Sequence, residues 1–192
     1  MDPLNIIIGL NIIATFGANV GAAKKSVRDK VGVFKDKPKT YLQTLPLVFS
    51  IITLIILIIS LFQVGTLEYT QENQIIRVIG LVFYIVFSWV QIWATKVLGD
   101  NYSQDVAIKK DHKLITSGPF KIVRHPQYLS QFLMDLGGAA ATLSFVLAPI
   151  ALLQIPFLFM RASLEDKLLE KHFGESFKDF KKKTGQIFPF IG

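Results

Sequence analysis

The stretch LPLVFSIITLIILIISLFQV, residues 45–64, contains no charged side chain and is apolar on all sides when wound into a helix. Roughly 20 such residues cross the ~30 Å hydrocarbon core of a bilayer, and only a helix satisfies the backbone polar groups there. Its all-round hydrophobicity suits contact with lipid better than a site. The composition agrees, with 51% hydrophobic residues and a mean hydropathy of +0.44.

Outward from this span the loops differ in charge. Residues 65–74 carry Glu68 and Glu72 without Lys or Arg, and lead into a second long apolar run, residues 75–98. That run holds Trp89 and Trp93 one helical turn apart, a spacing that fits interfacial anchors or, alternatively, a stacking surface. On the other side, residues 24–39 hold Lys24, Lys25, Arg28, Lys30, Lys35, Lys37 and Lys39 against Asp29 and Asp36. The positive-inside rule places this basic segment in the cytoplasm and the acidic loop outside. Residues 4–23 form a further span with the amino terminus outside. Its basic residues follow the apolar stretch, the reverse of a cleaved signal peptide. Gly17 and Gly21 within it are spaced as GxxxG, which permits close helix packing.

Beyond residue 98 a polar return, residues 99–110, leads to HKLITSGPFKIVRHPQY, residues 112–128. Ser117, Gly118 and Pro119 mark a turn, and Pro126 suits the first position of a helix. Arg124 and His125 then lie beside a helix amino terminus. This is equally an anion site and a basic interfacial loop on lipid phosphates. A fourth helix is expected over about 127–142, and a fifth after residues 143–149, continuing towards Arg161. Residues 137–141, GGAAA, give this hairpin a small-residue face for close packing. Asp135 is its one acid, either functional or internally hydrogen-bonded. Residues 161–183 are charged, largely helical and basic, and belong in the cytoplasm.

The pattern is that of a single domain, residues 1–192, in the all-α integral membrane class: about five transmembrane helices with a cytoplasmic cofactor-binding segment and carboxy-terminal helices. Three amino-terminal spans occupy residues 1–98. The net charge of +7 comes largely from clusters beside apolar runs, so membrane lipids rather than nucleic acid are the expected partner. The absence of cysteine excludes disulfides, thiolate metal sites and a cysteine nucleophile. His112, His125 and His172 are scattered, and no metal is expected. HExxH, P-loop, GxGxxG and GxSxG patterns are missing. Arg161 and Glu165 share a helix face. As an exposed pair they contribute roughly 0.3–0.5 kcal/mol, whereas at the membrane level of Pro126 they are candidates for a site.

The run GPFKIVRHPQYL, preceded by HKLITS and followed by RASLED and HFGESF, resembles the isoprenylcysteine carboxyl methyltransferase family and its prokaryotic relatives. The resemblance covers residues 98–189, so residues 99–192 form the catalytic half. It implies a multi-pass membrane enzyme, in the plasma membrane of a prokaryote, that takes S-adenosyl-L-methionine from the cytoplasm and a lipophilic small-molecule or lipidated acceptor from the bilayer. The family's cofactor contacts fall on His112, Lys113, Leu114, Ile115, Phe120, His125, Pro126, Gln127, Tyr128 and Glu165. Its substrate arginine falls on Arg161, and Arg161 with Glu165 form the expected catalytic pair. Phe120 stands where the family often has tyrosine, and a further polar contact falls on Gln104 or Asp105. His125 and the helix amino terminus would hold the cofactor's carboxylate, and Glu165 a positive group. A carboxylate acceptor is favoured, because it is ionised at neutral pH and needs no base. Phospholipid amine or thiol methylation, an NADPH-dependent sterol-type reductase and a non-catalytic membrane protein are the competing readings.

Overall fold

The computed structural model describes residues 2–28 and 34–191, with side chains described for residues 2–19 and 34–191. Much of the basic segment, Lys24 to Lys30, and Gly21 of the GxxxG pair lie outside the described side chains. Among the described residues, nothing lies within 4 Å of where a Cβ on Gly17 would stand.

The elements in chain order are α1 (Pro3–Arg28), β1 (Phe34–Asp36), α2 (Leu45–Ser60), α3 (Gln74–Leu98), β2 (Ile108–Lys109), α4 (Pro126–Thr142), α5 (Leu147–Leu153), α6 (Ile155–Phe173) and α7 (Glu175–Lys183). Among the described residues, Tyr41–Ser60, Gln74–Asn101 and Leu147–Phe173 are the helices long and apolar enough to cross a membrane. The last is α5 and α6 running on through Gln154. Within the residues whose side chains are described, the apolar stretch of α1, Pro3–Asn19, and the 17 residues of α4 are shorter. The all-α membrane class expected from the sequence is thus met, with three helices of spanning length among the described residues. Ile51, Ile55, Ile58 and Ile59 of α2 and Ile79, Phe83 and Val86 of α3 remain exposed. Water would penalise such a surface, and hydrocarbon does not.

The centre of the fold is the crossing of α3 and α4. A Cβ at Gly80 would stand 2.5 Å from the Ala141 backbone nitrogen, and one at Gly137 2.6 Å from that of Tyr84. Only glycine permits this approach, so the small-residue run of α4 is spent against α3.

Each end of the bundle is tied by polar contacts. At one end Arg77, 1% accessible, donates to both Asp2 carboxylate oxygens, at 2.6 and 3.1 Å, and to the Ala141 carbonyl oxygen. Its guanidinium lies 3.5 Å over the Tyr69 ring. Asp2 also caps α1 by accepting from the Leu4 and Asn5 amides. The hydrogen bond from Arg77 holds its carboxyl below the usual value. At the other end β1 pairs antiparallel with β2. Gln43 both accepts from the Val106 amide, at 2.8 Å, and donates to its carbonyl oxygen, at 3.0 Å. The segment before α2 is thereby folded onto the loop that precedes the 112–128 stretch.

Candidate functional site

The stretch 112–128 reaches its position through the chain's last residues. Gly118 takes a positive φ of 61°, a backbone that glycine adopts without penalty, and the turn over Gly118–Lys121 brings Phe120 inward. The Arg124 amide donates to the Gly185 carbonyl oxygen and the His125 amide to that of Gln186. Pro126, which has no N–H to lose, opens α4.

Three functional groups come from α6. Arg161 and Glu165 share one face, and Asp166 looks toward the turn. His125 sits between the two acids, with Nε2 2.8 Å from Asp166 Oδ1 and Nδ1 3.5 Å from Glu165 Oε2. Burial opposes charge on the ring, but the hydrogen bonds and charges of Asp166 and Glu165 outweigh it and raise His125 to about 9. The ring is therefore an imidazolium at neutral pH, with an N–H for each carboxylate. Asp166 is held further by Arg124, whose Nη2 lies 3.1 Å from Oδ2, and by Gln186. The Tyr128 hydroxyl joins the face, donating to Glu165 Oε2 at 2.7 Å and accepting from Arg161 Nε at 2.8 Å. Its ring stacks on His125 with centroids 5.3 Å apart.

Arg161 does more than border the site. Nη1 donates to the carbonyl oxygens of Leu42, at 2.7 Å, and Gln43, at 3.2 Å, and Nη2 donates to that of Gln104. With the bond to Tyr128, four of its five N–H groups are engaged. To hold a carboxylate through two parallel bonds, Arg161 would have to give up a backbone carbonyl.

These groups border a cavity of about 510 Å³, within the size range of ligand sites. Every residue named for the site from the sequence lines it: His112, Lys113, Leu114, Ile115, Phe120, His125, Pro126, Gln127, Tyr128, Arg161 and Glu165, together with both Gln104 and Asp105. Glu165 is 34% accessible although it lies within the fold, because it faces this space. Leu114, Ile115, Phe120 and Leu169 form an apolar wall with Phe177 and Phe180 of α7. Burial lowers His112 from its ordinary value. Asp105 is paired with Lys37 at 2.7 Å.

The geometry departs from the expected roles at two points. Both His125 nitrogens face protein carboxylates, and the Tyr128 and Leu129 amides turn back to the His125 carbonyl oxygen, at 3.1 and 3.3 Å. The anion contact expected at the start of α4 is thus largely taken up by the protein itself. Trp89 and Trp93 do not line the cavity, and Trp89 donates to Asn11. Sequence reasoning missed Asp166, Phe177, Phe180, Gln91 and Gln131. For the two phenylalanines a signal existed, their i, i+3 spacing on a short amphipathic helix. The first spans, for which no role was expected, contribute Pro46, Leu47, Ser50 and Leu54 to the wall.

Residues 78–171 match the family described as "Isoprenylcysteine carboxyl methyltransferase (ICMT) family". The chain is 31% identical over 115 residues to the protein-S-isoprenylcysteine O-methyltransferase of Schizosaccharomyces pombe, covering 58% of this chain and 49% of that one. It is 37% identical over 84 residues to the nickel-cobalt-cadmium resistance protein NccN of Alcaligenes xylosoxydans xylosoxydans, covering 42% and 38%. The chain spans about half the length of the curated methyltransferases from the two yeasts that it matches. A solved structure of the eukaryotic intramembrane Ras methyltransferase ICMT shares the fold, with a TM-score of 0.67 at 19% identity, covering 100% of this chain and 69% of the other.

Proposed function

The chain belongs to the isoprenylcysteine carboxyl methyltransferase family through residues 78–171, and on that premise we propose that it transfers a methyl group from S-adenosyl-L-methionine to a lipophilic carboxylate held at the membrane. The observation that carries this reading is the single cavity shared by the 112–128 stretch, Arg161 and Glu165.

The residues present fit the cofactor's chemistry. The apolar wall of Leu114, Ile115, Phe120, Phe177 and Phe180 suits an adenine ring. Glu165, facing the cavity and oriented by His125 and Tyr128, suits a cationic group. When bound, S-adenosyl-L-methionine supplies a sulfonium-activated methyl group. A carboxylate acceptor is ionised at neutral pH, so no side chain has to remove a proton. The remaining work is alignment and exclusion of water. Arg161, anchored to the Leu42, Gln43 and Gln104 carbonyls, supplies a fixed positive charge beside Tyr128. Leu47, Leu54 and Leu158 give the cavity an apolar lining suited to the acceptor's chain.

The cofactor enters from the cytoplasm in this reading. A single cysteine placed at Lys182, in a chain with none of its own, should resist a membrane-impermeant reagent applied outside intact cells. The binding reading is tested by calorimetry with S-adenosylhomocysteine on detergent-solubilised protein. His125→Ala and Glu165→Gln should each weaken binding by roughly 1.5–3 kcal/mol, and Lys182→Ala should not. Unchanged affinity in both folded site variants would reject the cofactor assignment.

A further inference from the structure

The cavity lining includes polar side chains at a depth where methyl transfer itself asks for nothing polar. Gln91 of α3 and Gln131 of α4 border it. Gln131 lies about 7.5 Å deeper than Pro126 along α4, at 1.5 Å per residue.

These amides are held in a fixed sense. Asp135 Oδ2 accepts from Gln131 Nε2 at 2.8 Å and from Gln154 Nε2 at 2.7 Å. A carboxylate oxygen that accepts two amide N–H groups dictates which end of Gln131 points where. Its Oε1 is therefore turned to Gln91 and accepts from Nε2 at 3.1 Å. The sequence of bonds stops there. Among the described residues no protein donor meets Gln91 Oε1, and this atom is not buried. Gln91 thus shows the cavity a carbonyl oxygen and a remaining N–H, in an orientation set by Asp135 through Gln131.

Polar side chains at membrane depth are costly unless paired or used. Asp135, Gln131 and Gln154 are paired, whereas the outer side of Gln91 is not. A plain hydrocarbon chain passing it would desolvate that oxygen without replacing its bond. An ionic group would find no countercharge on Gln91. A neutral group that both donates and accepts matches the amide. Resting on the methyl-transfer reading above, we propose that the acceptor carries a hydroxyl or amide within its lipophilic part, one to two helical turns below the accepting atom, and that Gln91, positioned by Gln131 and Asp135, selects it.

The test uses the full chain in lipid nanodiscs with hexadecanoic acid and its monohydroxylated positional isomers as probes. Binding is measured on protein saturated with S-adenosylhomocysteine, and methyl transfer with the cofactor itself. One isomer, or two adjacent ones, should bind roughly tenfold more tightly than the plain acid, the discrimination expected when a site's polar group is otherwise left unpaired. Gln91→Leu should abolish that preference, raising affinity for the plain acid and lowering it for the favoured isomer, without changing affinity for S-adenosylhomocysteine. Gln131→Leu, which frees Gln91 to turn, should also abolish the preference. Equal binding of the plain acid and all isomers to the unaltered protein overturns the proposal and leaves methyl transfer intact. Equal loss for every acid in both variants also overturns it, making the amides structural. Should the protein bind S-adenosylhomocysteine but methylate no acid, the carboxylate reading fails. The same plain-against-hydroxylated comparison with hexadecylamine and hexadecanethiol then decides the selection by Gln91.

Discussion

His125 Nε2 and Asp166 Oδ1 lie 2.8 Å apart, with each side chain 5% accessible. This contact joins the turn before α4 to the middle of α6, and through Arg124 and Gln186 it also gathers the carboxy-terminal tail. The neighbouring acid on α6, Glu165, is left facing the cavity. One acid of the Glu165-Asp166 pair thus braces the site while the other is available to a ligand.

Stability should fall with rising pH. His125 is raised to about 9 in the folded protein, against 6.5 in the unfolded chain. The stabilisation, about 3 kcal/mol, is therefore complete below pH 6.5 and is lost as pH rises through about 9. Urea unfolding in mild detergent should give a midpoint that drops across this window. A His125→Gln variant should show a much flatter profile, and an unaltered slope would assign the effect to other groups.

Asp166→Asn should cost more stability than Glu165→Gln. Removing the Asp166 charge takes a buried carboxylate from both Arg124, with a side chain 1% accessible, and His125, and breaking a buried pair costs about 3–5 kcal/mol. Glu165 borders the cavity, where solvent relieves part of its loss. Thermal unfolding of both variants, beside S-adenosylhomocysteine calorimetry, should separate them: Asp166→Asn in stability, Glu165→Gln chiefly in binding.

Arg161→Lys should lose methyl transfer at least tenfold while S-adenosylhomocysteine affinity stays close to that of the unaltered protein. One ammonium cannot span the Leu42, Gln43 and Gln104 carbonyls and the Tyr128 hydroxyl, so charge is kept but its position is not. Parallel loss of both quantities would move Arg161 to the cofactor's side of the cavity.

Gly137→Ala should destabilise the protein by about 2–3 kcal/mol, because the new methyl would meet the Tyr84 backbone nitrogen at 2.6 Å and force α3 and α4 apart. Gly17→Ala, with nothing among the described residues within 4 Å, is the matched control. Similar unfolding midpoints for the two variants would show that the crossing yields easily.

The sequence alone determined the helical membrane class, because a charge-free stretch such as residues 45–64 has no other solvent, and it marked the 112–128 stretch and the Arg161 and Glu165 spacing. These are local properties, legible from hydropathy, turn chemistry and helical periodicity. The tertiary structure decided which groups meet. Asp2 and Arg77, 75 residues apart, close one end of the bundle. Gln43 and Val106 close the other, and Asp166 rather than a ligand meets Nε2 of His125. The four-residue spacing from Arg161 marked Glu165, but the part played by Asp166, which faces another way one residue on, depended on where the 112–128 stretch packs. Gln91 and Gln131 likewise read as isolated polar residues inside apolar helices. Their alignment depends on the crossing of α3 and α4, which glycine packing sets over a separation that no local pattern encodes.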